Sequence, residues 1–148
     1  PNAVRPWQHV LEALGGYLMI AERLLADEPA FADAWNFGPA DDDARPVSWI
    51  VERIRAAWDG AAEPVPFAGA VPHEAGLLRL DCSKARTELG WRPALPLDLA
   101  LDWIVGWHKS VAAGNDARAV TLEQIAAYGA RSSPPRDTGG IGQYEAVA

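Results

Sequence analysis

The stretch Gln8-His9-Val10-Leu11-Glu12-Ala13-Leu14-Gly15-Gly16-Tyr17-Leu18-Met19-Ile20-Ala21-Glu22-Arg23-Leu24-Leu25-Ala26 places Val10, Leu14, Tyr17, Leu18, Ala21, Leu24 and Leu25 at intervals of three and four. That spacing is one stripe of an amphipathic helix, expected over about Gln8 to Ala26. Asp27-Glu28-Pro29 ends it, because proline cannot continue the hydrogen-bond ladder and restricts the residue before it.

Outward from this helix the pattern alternates. Ala34-Trp35-Asn36-Phe37, closed by Gly38-Pro39, is an apolar run that predicts a buried strand. Val47, Ile50, Val51, Ile54 and Trp58 form a second helical stripe, with Pro46 in its first turn and Gly60 as its stop. Between Ala61 and Gly76 the prolines and small residues favour extended chain, and Leu77 to Leu80 predicts a short strand. Asp81-Cys82-Ser83 caps a helix over Lys84 to Leu89, which Gly90 terminates in the left-handed conformation. Leu97, Ala100, Leu101, Ile104, His108 and Val111 mark a fourth helix ending near Gly114. Thr121 with Gln124 reads as a capping box opening a last helix, Leu122 to Tyr128. The expectation is a helix-rich α+β domain over 1–130, followed by a mobile tail over 131–148 whose composition is too poor in apolar residues to offset ordering entropy.

Composition excludes several classes. With 13 Lys+Arg against 20 Asp+Glu, a net charge of −7 argues against a nucleic-acid binder. Of the 148 residues, 49% are hydrophobic, enough for one core without staples. The single Cys82 can form no internal disulfide, which makes a reducing cytosol the expected location. No apolar run approaches the ~20 residues of a membrane span. The chain opens at Pro1 in a stretch with structural patterning and no initiator Met, which is expected of a piece of a longer protein.

No complete catalytic set is present in the sequence. Asp41-Asp42-Asp43 lacks the alternating ligands of a calcium loop and reads as solvated. His73-Glu74 lacks the second histidine of a zinc helix. Thr138-Gly139-Gly140-Ile141-Gly142 follows prolines rather than a strand, so it is no dinucleotide turn. None of Tyr17, Tyr128 and Tyr144 has a lysine four residues on. Binding chemistry remains: Arg5, beside Pro6, Trp7 and His9, can grip a phosphate bidentately. Its plainer reading is a surface arginine beside a packing tryptophan. His73 and Glu74 could hydrogen-bond a ligand, or simply be solvated. The seven tryptophans read first as core, with a sugar-stacking platform at Trp103 and Trp107 as the sharper alternative.

Several words occur in order: Val4-Arg5-Pro6-Trp7-Gln8-His9-Val10-Leu11-Glu12, Gly16-Tyr17-Leu18, Ala34-Trp35-Asn36-Phe37-Gly38-Pro39, His73-Glu74-Ala75, Leu80-Asp81-Cys82-Ser83-Lys84-Ala85, Leu89-Gly90-Trp91-Arg92-Pro93, and Gln124-Ile125 with Tyr128. Together, from Pro1 to about Tyr128, they resemble the C-terminal part of the CDP-glucose 4,6-dehydratase family, extended short-chain dehydrogenases/reductases of the NAD-dependent epimerase/dehydratase superfamily. The Lys84-Ala85 to Gly90-Trp91 word is shared across nucleotide-sugar epimerases and dehydratases. The Arg5 to Val10 word with His73-Glu74-Ala75 narrows the resemblance to the CDP-glucose branch.

The resemblance implies a two-part cytosolic enzyme, homo-oligomeric, whose N-terminal Rossmann domain holds NAD and the Tyr/Lys pair. The present residues would then be the substrate-binding part, with Arg5 at the diphosphate of a CDP-sugar and His73 and Glu74 lining the nucleotide. No catalytic, cofactor-binding or metal residue is expected here, so the chain alone should not be a dehydratase. A second diphosphate arginine is not found after His73, where Ala75-Gly76-Leu77 stand, and Arg79 is only a fallback. If a Rossmann domain is to cover it, the apolar face of the first helix should lie exposed. The same part of another nucleotide-sugar epimerase or dehydratase, or a stand-alone non-catalytic interaction module, would share most of these features.

Overall fold

The computed structural model describes residues 2–58, 63–65, 69 and 75–132. Its elements run β1 (Val4–Pro6), α1 (Val10–Leu25), β2 (Ala44–Pro46), α2 (Val47–Ala57), a π-helical turn over Ala85–Leu89, α3 (Leu97–Ala112) and α4 (Ala117–Ser132), a helix-rich α+β arrangement. The two strands form one antiparallel pair with Val4 opposite Pro46, Arg5 opposite Arg45 and Pro6 opposite Ala44. Among the described residues one parallel bridge joins Val4 to Leu77.

α1 starts where expected and for a local reason: the His9 side chain accepts from the Leu11 amide and caps it. Its apolar stripe does not face the core. Val10, Leu14, Tyr17, Leu18 and Leu25 are exposed, while His9, Glu12 and Gly16 on the other side are buried. α2 begins directly after Pro46, and the α3 end is followed by Gly114 at φ 92°. Gly90, at φ 75°, closes the turn after Leu89 in the left-handed geometry expected of it.

Four expectations need correction. Ala34 to Phe37 has no ladder partner and is not a strand; instead Trp35 stacks on Phe31, and Phe37 is buried against Cys82, Leu89 and Trp91. Leu77 to Leu80 contributes only the bridge to Val4. The sheet forms from Val4–Pro6 and Ala44–Pro46. Their pairing spans 40 residues and leaves no local periodicity to detect. Thr121 does not open the last helix: Asp116 does, its carboxylate accepting from the Ala119 amide at 2.7 Å. Thr121 lies within α4 and donates back to the Ala117 carbonyl at 2.7 Å, the interior bonding mode of threonine. α4 extends through Arg131 to Ser132; the remainder of the expected tail, 133–148, and the Gly139-Gly140 word lie outside the described residues.

Among the described residues three small apolar cores hold these pieces. Phe37, Cys82, Ala85, Leu89 and Trp91 form one; Ile50, Leu97 and Leu101 join α2 to α3; Leu95, Ala100 and Tyr128 join α3 to α4. Arg53 bridges α2 to Asp98 at 3.0 Å and Asp102 at 2.5 Å on α3.

Candidate functional site

β1 is the centre of the candidate site, because it carries Arg5 and gathers three separate stretches of chain. Pro6 cannot donate a backbone hydrogen bond, which limits how far the ladder can run. The Val47 amide donates to the Ala3 carbonyl at 3.0 Å, and the Trp7 indole donates to the Arg45 carbonyl at 3.0 Å, so β2 is held at its middle and just past its C-terminal end. On the far side, the Val4 amide donates to Gly76 at 2.8 Å and the Leu78 amide to Val4 at 3.1 Å. Gly76 is two residues beyond Glu74 in sequence, so the chain that follows His73 and Glu74 is bonded to the immediate neighbour of Arg5. His73 and Glu74 themselves lie outside the described residues.

Arg5 is half-buried, and one guanidinium nitrogen donates to the Val4 carbonyl at 2.8 Å. Directly across the ladder stands Arg45, exposed, its guanidinium carbon 5.3 Å from the centroid of Trp49. Sequence reasoning did not single out Arg45. The Arg-Pro word occurs three times, at Arg5-Pro6, Arg45-Pro46 and Arg92-Pro93, so it does not distinguish this position. Arg79 is exposed.

Trp103 stands edge-on to His9 and packs beside Leu95 and Tyr128, while Trp107 donates to Thr121 at 2.9 Å, so both serve packing. Trp107 also lines an apolar hollow of about 220 Å³, together with His9, Val10, Ile104, His108 and Ile125. Burial pushes the Cys82 thiol up and away from a reactive thiolate. Asp41–Asp43 form an exposed 3-10 turn. Among the described residues no group of three or more His, Cys, Asp or Glu is placed to hold a metal ion, and no helix is long and apolar enough to cross a membrane.

No protein-family model matches the chain. A curated relative does, and it is a dehydratase. The chain is 43% identical over 128 residues, 86% of its length, to the C-terminal part of CDP-glucose 4,6-dehydratase of Salmonella typhimurium. It spans about a third of that relative, 36% of its length.

Proposed function

We propose that this chain is the substrate-binding C-terminal part of a CDP-glucose 4,6-dehydratase, which converts CDP-glucose to CDP-4-keto-6-deoxyglucose in the cytosol. The observation that carries the reading is the 43% identity to the C-terminal part of the Salmonella enzyme; beside it, Val4, the neighbour of Arg5, is bonded to Gly76, two residues beyond Glu74 in sequence. In this reading Arg5 neutralises the diphosphate of the CDP-sugar, and His73 and Glu74 shape the nucleotide end. Binding of that kind positions the sugar for chemistry carried out by other residues.

NAD supplies hydride acceptance and return in such an enzyme. Its site, with the Tyr/Lys pair, belongs to an N-terminal Rossmann domain, so this chain alone binds no NAD and turns nothing over. The exposed α1 face of Val10, Leu14, Tyr17 and Leu18 is the surface that domain covers, and the assembled enzyme is a homo-oligomer. Calorimetry of CDP against the intact protein and its Arg5→Ala form tests the site. A loss of about tenfold or more supports it, and equal affinities remove Arg5 from it. Turnover of CDP-glucose by the 148-residue chain by itself would contradict the division of labour.

A further inference from the structure

The geometry points to a binding site apart from Arg5: the apolar hollow where α1, α3 and α4 meet takes a small uncharged aromatic molecule whose carbonyl oxygen accepts a hydrogen bond from His9. This goes beyond the proposed function, because Arg5 is not among the residues that line the hollow.

The space of about 220 Å³ is walled by aliphatic side chains from all three helices and by the Trp107 ring. An apolar cavity of roughly 150 Å³ holds benzene, and sites for drug-sized ligands begin near ~300 Å³, so the fitting occupant is one ring with a small substituent. Among the described residues no Asp, Glu, Lys or Arg lines the hollow, and a charged ligand would lose its hydration there without gaining a counter-ion.

Much of the polar lining is turned toward the protein. The Trp107 indole donates to the Thr121 hydroxyl at 2.9 Å, that hydroxyl donates to the Ala117 carbonyl at 2.7 Å, and the Gln124 amide donates to the Trp103 carbonyl at 2.9 Å. His9 differs. Its side chain is buried, with the residue only 6% exposed, and its Nδ1 accepts from the Leu11 amide at 3.3 Å. Burial keeps the imidazole neutral by lowering its pKa, so the ring's one proton sits on Nε2. No acceptor for it stands among the described residues. Nε2 is not enclosed by packed atoms either, so it opens onto the hollow that His9 lines. Trp103, edge-on at 6.0 Å between ring centres, holds the imidazole plane. A buried donor without an acceptor costs stability, and a carbonyl oxygen satisfies it without bringing charge into apolar space. Water is a poor substitute, because apolar walls give it few of the partners that hold a buried water.

The test titrates acetophenone, its carbonyl-free counterpart ethylbenzene and the charged benzoate against the intact protein and its His9→Asn and Ile125→Trp forms, read by saturation-transfer NMR. Expected is acetophenone binding with a millimolar or tighter Kd, about fivefold tighter than ethylbenzene, and no binding of benzoate. Asn keeps a capping acceptor for α1 but is too short to carry a donor to the same point, so His9→Asn should weaken acetophenone to the level of ethylbenzene and leave ethylbenzene unchanged. Ile125 lines the hollow and is 46% exposed, so Ile125→Trp adds bulk at the mouth without disturbing a core, and should weaken both neutral rings. Acetophenone that fails to bind, or binds no better than ethylbenzene, overturns the site. So does a preference for acetophenone that survives His9→Asn, binding of both rings that Ile125→Trp leaves unchanged, or benzoate as the tightest ligand.

Discussion

The carboxylate of Glu12 on α1 accepts a 3.1 Å hydrogen bond from the hydroxyl of Tyr128 on α4 through one oxygen, while its other oxygen takes the amides of Ala94 and Leu95 at 2.9 and 2.6 Å. The Trp91 indole adds a bond to the Glu12 carbonyl at 3.2 Å. One buried side chain therefore ties the first helix, the 91–95 loop and the last helix together. Burial raises the Glu12 carboxyl above its usual range against the pull of these donors, and raises the Tyr128 hydroxyl as well.

Removing the clasp should be costly. Glu12→Ala strands two amides and a hydroxyl in the interior and is expected to cost about 3–5 kcal/mol, whereas Tyr128→Phe removes one donor and costs about 1–2 kcal/mol. Urea denaturation of both variants measures the difference, and equal small losses would show that the clasp is not stabilising.

His9 couples stability to pH. Its Nδ1 caps α1, and burial holds the folded imidazole below its ordinary 6.5. As pH falls below that value, the unfolded chain takes up a proton that the folded one resists, so stability declines with falling pH across the window. His9→Asn keeps a capping acceptor without titrating there, and should flatten the stability profile between about pH 7 and the lowered folded value.

Gly16 and Gly106 should respond oppositely to alanine. A Cβ on Gly16 would sit 2.5 Å from Cδ1 of buried Phe37, so Gly16→Ala must displace that ring and is expected to destabilise by about 1–3 kcal/mol. At Gly106, within α3, nothing lies within 4 Å, and Gly106→Ala should stabilise by about 0.5–1 kcal/mol. Thermal melts of the pair check both signs.

The α1 face yields a further expectation. Leu18 is 66% exposed and Leu14 45% exposed, so Leu14→Asp with Leu18→Asp should change the stability of the 148-residue chain by less than about 1 kcal/mol while suppressing its self-association in light scattering. A large stability loss in the chain by itself would show that this face is buried within it.

What could be read from the residues in order was whatever local spacing encodes. The starts of α1 and α2, the end of α3 near Gly114 and the left-handed Gly90 follow from caps, prolines and three-to-four periodicity, all within one or two turns of chain. The words around Arg5 likewise carried the family likeness. Tertiary structure alone decided which side of α1 is interior, since an acidic Glu12 is buried only because the amides of Ala94 and Leu95 and the hydroxyl of Tyr128 arrive from 82 to 116 residues away. It alone decided that Ala34 to Phe37 finds no ladder, and that Arg45 faces Arg5. Helical periodicity is a property of neighbours, whereas strand register and the satisfaction of a buried charge depend on groups that only folding brings together.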